Sequence, residues 1–223
     1  MSKNYGDNPP LSYNKYLRVQ DLINLQDCLS SPVHHDELLF ITVHQAYELW
    51  FKQILHELDA AIMLLEEDRV PAATRALRRV VEIEKLLVNQ IHILETMTPI
   101  SFLVFRDQLN PASGFQSMQF REIEISSGLK DQNIVREFSS DEFAHERLKA
   151  RMDKPSLGES FYRVLQRRGL NAPLGADPTE AKKMYGERTK AVLEVLTHFE
   201  ERYEEFQLTE ALLEHDEYFS LWR

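Results

Sequence analysis

The chain has 223 residues, and its 43% hydrophobic and 28% charged content is typical of a globular protein with a sizeable core. The formal net charge of −10 argues against a nucleic-acid partner, because phosphate binding needs clustered Lys and Arg side chains. No apolar run approaches the ~20 residues that a membrane span needs, no secretory signal is visible, and the single cysteine, Cys28, excludes an intrachain disulfide. We therefore expect a cytoplasmic protein that binds neither nucleic acid nor membrane.

The first predicted element is an N-terminal arm. Residues 1–12 are polar and contain Pro, which predicts a flexible lead rather than a helix. Residues 13–29 then show the apolar pattern of a short amphipathic helix with aromatic side chains at its start. Aromatic side chains such as Tyr13 and Tyr16 often belong to a partner's surface, but they could equally cover the core of their own subunit.

The longest predicted helix runs from His34 to Glu66 and contains no Gly or Pro. Apolar residues recur along it at helical spacing, which predicts one buried face. They are Leu39, Val43, Trp50, Ile54, Leu58, Ala61 and Leu65.

A second face of this helix carries an imidazole among aromatic rings. At about 100° per residue, His44 points in nearly the same direction as Phe40, Tyr47 and Phe51. One interpretation is a core histidine that is hydrogen-bonded to a carboxylate or a carbonyl group. The other is the wall of a pocket, where the rings supply an apolar surface and His44 orients a ligand.

The rest of the chain is also predicted to be helical, because no alternating run of β-branched residues indicates a sheet. Apolar periodicity, with Pro and Gly at the ends, predicts helices over residues 73–94, 98–109, 115–126, 141–152, 156–169 and 179–223. The last of these is expected to bend near residues 208–209, and residues 171–178 form the clearest loop. Since no repeat or linker is visible, residues 13–223 are expected to form a single helical domain.

Arg106 is the second candidate for a functional side chain. It follows Phe102 by one helical turn and is either a surface residue that pairs with Asp107 or Glu122, or a clamp for a ligand carboxylate. The loop of residues 111–117 that follows offers hydroxyl and backbone amide groups, which suit a carboxylate or a propionate.

Two segments in the right order resemble the signatures of the tryptophan 2,3-dioxygenase family. The first is Leu-Leu-Phe-Ile-x-x-His-Gln-x-x-Glu-Leu-Trp-Phe-Lys, at residues 38–52. The second, within residues 94–121, contains Leu-Glu-Thr-Met-Thr-Pro, Phe-Arg-Asp-x-Leu and Pro-Ala-Ser-Gly-Phe-Gln-Ser-x-Gln-Phe-Arg. The resemblance runs from about Tyr13 to Arg223 and is stronger up to Glu124.

This resemblance implies an all-α helical bundle of the heme-dependent tryptophan/indoleamine dioxygenase type. It further implies heme b with iron as cofactor and O2 as co-substrate. The reaction would open the indole ring of L-tryptophan, or a related indole, to give N-formylkynurenine in the kynurenine pathway of tryptophan catabolism. The family is usually a homotetramer, so the resemblance also implies that assembly.

The resemblance assigns roles to residues at matching positions. Phe40 and His44 match the distal pocket, where the histidine accepts a hydrogen bond from the indole N–H. Arg106 matches the clamp on the substrate carboxylate, and Phe102 stands where the family commonly has a tyrosine. The other matches line the heme pocket or belong to an arm that reaches the neighbouring subunit's site. They are Leu109, Ser113 and Gly114 for the pocket, and Tyr13, Tyr16 and Leu17 for the arm.

The last five residues resemble the segment that leads into the family's proximal heme histidine. None of the eight histidines matches that position, and His215, the nearest in sequence, precedes the Trp-Arg pair that marks it. We therefore predict no metal ligand in this chain and find no proximal heme ligand. This leaves an alternative, in which the chain is a truncated or degenerate relative without catalytic activity. It would form a helical oligomer that binds an indole or a protein partner without heme.

Two further clusters of metal-ligating residue types are weaker candidates. Glu142 and His145 have the Glu-x-x-His spacing of di-iron bundles, but such bundles need two copies of the motif and only one is present. The run from His34 to Glu37 could hold a divalent metal, although a polar helix start with acidic residues explains it equally well.

Overall fold

The computed structural model describes residues 11–175 and 180–223, and within these ranges every regular element is helical, which confirms the all-α prediction. Most of the predicted N-terminal arm, residues 1–10, lies outside the described part. The helices are α1 (Tyr13–Leu17), α2 (Val19–Leu22), α3 (His35–Glu66), α4 (Val70–Leu94), α5 (Pro99–Leu109), α6 (Met118–Ser127), α7 (Gln132–Glu137), α8 (Glu142–Met152), α9 (Leu157–Arg167), α10 (Ala181–Thr197) and α11 (Tyr203–Trp222). A short 3-10 turn, Gly114–Gln116, precedes α6.

The helices α3 and α4 form the frame of the molecule. The start of α3 is capped by His34, whose Nδ1 atom accepts a hydrogen bond from the Asp36 amide at 3.3 Å. A three-residue connection, residues 67–69, leads into α4, where Pro71 occupies the first turn. Because the connection is so short, the two helices pack as antiparallel neighbours.

The core lies where α4 packs against both α3 and α11, with α6 and α9 covering the other side of α3. The face predicted for α3 is buried apart from the half-buried Leu39 and from Trp50, which is 36% exposed. A ring as large as that of Trp50 is rarely buried completely. The side chains that anchor this core without solvent exposure are Leu58, Leu65, Val70, Ala73, Leu77, Val80, Val164, Leu165, Val195 and Leu208. Among the described residues, no helix is both long and apolar enough to cross a membrane.

Two of the predicted helix boundaries were wrong. Residues 13–29 form α1 and α2 instead of one helix, because Arg18 takes a left-handed backbone conformation, φ 51°, that ends α1. The C-terminal stretch breaks at residues 198–202 and not near 208–209. At that break Thr197 and His198 direct their side chains to the backbone carbonyls of Leu193 and Glu194, which supplies partners for the end of α10.

Two smaller differences concern the segments around α6 and α7. The predicted helix over residues 115–126 is divided into the 3-10 turn and α6, because Ser117 caps α6 through the amide of Phe120. Asp131 caps α7, which the sequence analysis did not predict. Of the predicted loop over residues 171–178, residues 171–175 have no regular structure and the others lie outside the described ranges.

A buried carboxylate ties the segment before α3 to the rest of the fold. Glu37 is 1% exposed, and it accepts hydrogen bonds from the Leu29 amide at 2.6 Å, the Ser30 amide at 3.0 Å and the Ser30 hydroxyl. Burial alone would raise the pKa of Glu37, but these hydrogen bonds outweigh it and lower the pKa below its ordinary value. The carboxylate is therefore the ionised centre of this corner.

Candidate functional site

A cavity of about 650 Å³ lies between the first half of α3, the segment of residues 109–117, the start of α6 and the end of α11. This volume is in the range that small molecules and cofactors occupy, about 300 to 1,000 Å³. Six of its lining residues are Phe, Tyr or Trp, namely Phe40, Tyr47, Phe51, Phe115, Phe120 and Trp222. The cavity therefore suits a flat and largely apolar ligand.

The end of α11 closes one side of the cavity through Trp222. The centroid of its indole ring lies 5.7 Å from that of Tyr47, 5.1 Å from Phe51 and 4.9 Å from Phe120, and the last two contacts are edge to face. The Tyr47 hydroxyl donates a hydrogen bond to the Leu87 carbonyl at 3.2 Å, and burial raises the pKa of Tyr47. Three helices thus meet in one aromatic cluster.

His44 presents its imidazole to the cavity from this aromatic wall. Its Nδ1 atom lies 2.7 Å from the carbonyl oxygen of Phe40, and a carbonyl can only accept, so Nδ1 carries the hydrogen and donates it. The neutral ring then keeps Nε2 as an acceptor. His44 thus bonds to a carbonyl group and also lines the cavity.

The segment between α5 and α6 supplies the polar rim. Ser113 accepts a hydrogen bond from the Phe115 amide at 3.3 Å, while the Gln116 side chain accepts one from the Ser113 amide at 3.1 Å. Leu109, Ser113 and Gly114 all line the cavity. A Cβ atom added at Gly114 would meet no atom within 4 Å, so space is left there for a bound group.

Arg106 and Phe102 lie beside the cavity and do not line it. The Arg106 guanidinium lies 5.5 Å from the ring centroid of Phe102, and that ring in turn stacks on Phe40 at 5.5 Å. Within the described residues neither Asp107 nor Glu122 forms an ion pair with Arg106, and Glu122 pairs with Arg147 at 2.7 Å instead. Arg106 is exposed and is available to a ligand that extends from the cavity past Phe102.

The predicted arm residues are not brought to the cavity of their own chain. Tyr13 and Tyr16 are 75% and 72% exposed, and Leu17 is exposed as well. The interpretation that the two tyrosines cover the core of their own subunit is therefore wrong, because neither α1 nor α2 has a buried residue.

Neither of the weaker metal candidates forms a ligand cluster. Across residues 11–175 and 180–223, no group of three or more His, Cys, Asp or Glu side chains is arranged to hold a metal ion. The His145 imidazole lies 3.5 Å from Glu146, its neighbour on α8. His215 is buried and has polar neighbours at both ring nitrogens, so it does not face the cavity.

The sequence analysis did not place Phe120 and Trp222 in the site. Both lie on elements distant in sequence from α3, and only the packing of α6 and α11 brings them to it. One signal was present, because His215, Phe219 and Trp222 follow each other at steps of four and three along one face of α11.

Together, the all-helical frame and the aromatic cavity with His44 in its wall define a class of helical proteins whose cavity suits a planar ligand. Comparison with known proteins identifies the family. The profile of the family described as "Tryptophan 2,3-dioxygenase" matches residues 2–210, and the chain belongs to this family of oxidoreductases. The family predicted from the two signature segments is thereby confirmed.

Individual relatives agree with this assignment. A tryptophan 2,3-dioxygenase of Herpetosiphon aurantiacus is 43% identical over 217 residues, which cover 96% of this chain and 82% of the relative. Proteins of the same description from a Nocardioides species and from Serratia proteamaculans are 45% and 39% identical, and each match covers 96% of this chain and 78% or 77% of the relative.

Proposed function

We propose that the protein is a heme-dependent dioxygenase that opens the indole ring of L-tryptophan with O2 and yields N-formylkynurenine, a step of tryptophan catabolism. The observation that carries this proposal is His44, which offers an imidazole acceptor from an aromatic wall within a family match that spans most of the chain. The alternative, a relative that binds an indole or a protein without heme, is not favoured by the family match.

The residues of the cavity fit a heme group. The aromatic surface suits an apolar macrocycle, and the open space at Gly114 and the Ser113 hydroxyl suit its polar edge. Phe40, His44, Leu109, Ser113 and Gly114 would hold it, and we assign no axial ligand among the described residues. When bound, heme supplies an iron centre that reacts with O2.

The protein's own part in the reaction is to orient the substrate and to keep water out. The Nε2 atom of His44 would accept the indole N–H, and the Arg106 guanidinium would bind the carboxylate with two parallel hydrogen bonds. Phe40 and Phe51 would exclude water from the indole. His44 then acts by orientation, and no proton transfer to it is required.

The assembly and the location of the protein remain predictions. The exposed aromatic side chains of Tyr13 and Tyr16, together with Leu17, support an arm that reaches a neighbouring subunit in a homotetramer. A single domain over residues 13–223 is supported by a main core cluster with residues from α3, α4, α6, α9, α10 and α11. A smaller cluster on α6, α7 and α8 shares α6 with it. We expect this domain to be cytoplasmic.

A spectroscopic titration tests the proposed function. Purified protein titrated with hemin should show a saturable heme absorption spectrum with one heme per chain, and the reduced complex should consume L-tryptophan and O2. The intact mass of the same sample should equal the mass expected for the 223-residue sequence. If no specific heme spectrum appears and calorimetry still detects L-tryptophan binding, the alternative without heme replaces the proposal.

Restoring a hydroxyl at Phe102 should improve substrate binding. In the variant Phe102→Tyr the new hydroxyl can donate to the substrate carboxylate, and a hydrogen bond to a charged group is worth roughly 1.5 to 3 kcal/mol. We expect the KM for L-tryptophan to fall by about tenfold in steady-state kinetics. The exposed Phe143 provides a matched control, because Phe143→Tyr adds the same hydroxyl far from the site. An unchanged KM in Phe102→Tyr would remove Phe102 from the substrate site.

A further inference from the structure

A buried polar bridge joins three helices behind the aromatic wall of the cavity. The His215 Nδ1 atom lies 2.9 Å from an oxygen of Glu84, and its Nε2 atom lies 2.9 Å from the Ser127 hydroxyl. His215 is on α11, Glu84 on α4 and Ser127 at the end of α6. His215 and Glu84 are only 4% and 1% exposed, so the bridge is shielded from water.

The bridge is costly to bury, which suggests that it does more than fill space. Burial raises the pKa of Glu84, and the hydrogen bond from His215 opposes that rise only in part. The second carboxyl oxygen of Glu84 has no hydrogen-bond partner within the described residues. Apolar side chains of similar size at both positions 84 and 215 would avoid this penalty.

The position of the bridge on α11 connects it to the cavity. Trp222 follows His215 by seven residues, which is two helical turns, so both lie on one face of α11. Phe219 lies between them, with its ring centroid 5.8 Å from His215 and 5.8 Å from Phe120. The face fixed by His215 is therefore the face that carries Trp222 into the cavity wall.

A second contact holds the same helix end. The Arg223 side chain lies 3.2 Å from Glu124, which is on α6 one turn before Ser127. The helix α6 thus contacts α11 through polar side chains at two levels. Apolar packing is not directional, whereas a hydrogen bond at one level and an ion pair at the other favour one rotation and one axial position of α11.

We propose that His215 is a positioning residue of the cavity: it bridges Glu84 and Ser127, and so sets where Trp222 stands in the wall that contacts the bound cofactor. The cofactor part of this proposal rests on the proposed function. His215 itself touches neither the ligand nor the cofactor. It acts by fixing the position of α11, and the change can be measured at the Trp222 side chain.

The experiment uses Trp222 as the reporter. The chain has two tryptophans, so Trp50→Phe leaves Trp222 as the only indole fluorophore. In this background we would compare His215→Leu, which removes both hydrogen bonds, with His215→Gln, which retains one donor and one acceptor. His92→Leu is the matched control, because His92 is an exposed histidine near the end of α4.

Two readouts are measured on the full chain: acrylamide quenching of Trp222, and the loss of its fluorescence as hemin is added. We expect His215→Leu to raise acrylamide quenching and to weaken hemin binding by about tenfold, the low end of the effect of removing a supporting hydrogen-bond partner from a site. His215→Gln should restore most of both values, and His92→Leu should change neither.

The outcomes separate this proposal from the proposed function. Unchanged acrylamide quenching in folded His215→Leu, or a His215→Gln variant as impaired as His215→Leu, overturns the positioning role. If His215→Leu does not fold, the milder Ser127→Ala and Glu84→Gln variants replace it, and an unchanged Trp222 in both overturns the role. If hemin gives no saturable quenching even with His215 present, the proposed function fails. The positioning role of His215 is then tested by acrylamide quenching alone.

Discussion

Replacing Arg106 with Leu is expected to lower kcat/KM for L-tryptophan by about 100-fold, mainly through a higher KM. The guanidinium would make two charge-assisted hydrogen bonds to the substrate carboxylate, and losing about 3 kcal/mol of such binding corresponds to that factor. Since Arg106 is exposed and rests on Phe102 without an ion pair in the described chain, its removal leaves no buried charge behind. Steady-state kinetics with L-tryptophan provide the measurement.

Matched variants distinguish the two hydrogen bonds of the Arg106 guanidinium from the effect of its positive charge alone. Arg106→Lys keeps the positive charge and loses the fork, so it should recover only part of the activity. Asp107→Asn changes an exposed neighbour on α5 and should leave KM unchanged. Hemin binding should be the same in all three variants. A KM in Arg106→Leu equal to that of the parent protein would show that another group binds the carboxylate.

Replacing Glu37 with Gln is expected to reduce the free energy of unfolding by about 2 kcal/mol at pH 7. The neutral amide accepts more weakly than the carboxylate and turns an N–H group toward donors that need an acceptor, while hydrogen bonds to charged groups contribute about 1.5 to 3 kcal/mol. The donors at stake are the partly buried Leu29 amide and the buried amide and hydroxyl of Ser30. Urea unfolding followed by circular dichroism gives the value.

Glu37 also contributes to the loss of folding stability at acid pH. The pKa of Glu37 is lower in the folded protein than its ordinary value, so its contribution to stability is complete above the unfolded pKa of about 4.3. That contribution is lost as the pH falls through the lower, folded value. The stability of Glu37→Gln should therefore decline less steeply with acid than that of the parent protein. Glu67→Gln, an exposed change at the end of α3, serves as the control. If the free energy of unfolding falls with pH equally steeply in Glu37→Gln and in the parent protein, Glu37 does not cause the acid sensitivity.

The sequence was sufficient to predict the features that depend on local pattern. The span of α3 was predicted within one residue because helical spacing and the absence of Gly and Pro determine it. The wall that contains Phe40 and His44 follows from the same periodicity, since side chains at positions i and i+4 share a face. The break before α6 was also visible in Pro111 and Gly114.

The features that the sequence did not predict depend on contacts between distant segments. Trp222 reaches Tyr47 only because α11 packs on α4 and α4 packs on α3, and no local pattern encodes that meeting. The position of Arg106 on the ring of Phe102 was likewise one of several possibilities for an arginine among apolar residues. The left-handed backbone at Arg18 is rare for a residue that is not Gly, Asn or Asp.

The two ends of the 32-residue helix α3 carry side chains with different roles. Its first half and the adjoining Phe51 carry the cavity side chains, which include Phe40, His44 and Tyr47, while the rest of its second half carries the fully buried Leu58 and Leu65. Because one rigid rod joins the two halves, the second half can hold the backbone still while residues of the first half are exchanged. Ligand preference could therefore change by substitution at the half-buried Phe40 and His44 at little cost in stability, whereas Tyr47 and Phe51 also belong to the buried core.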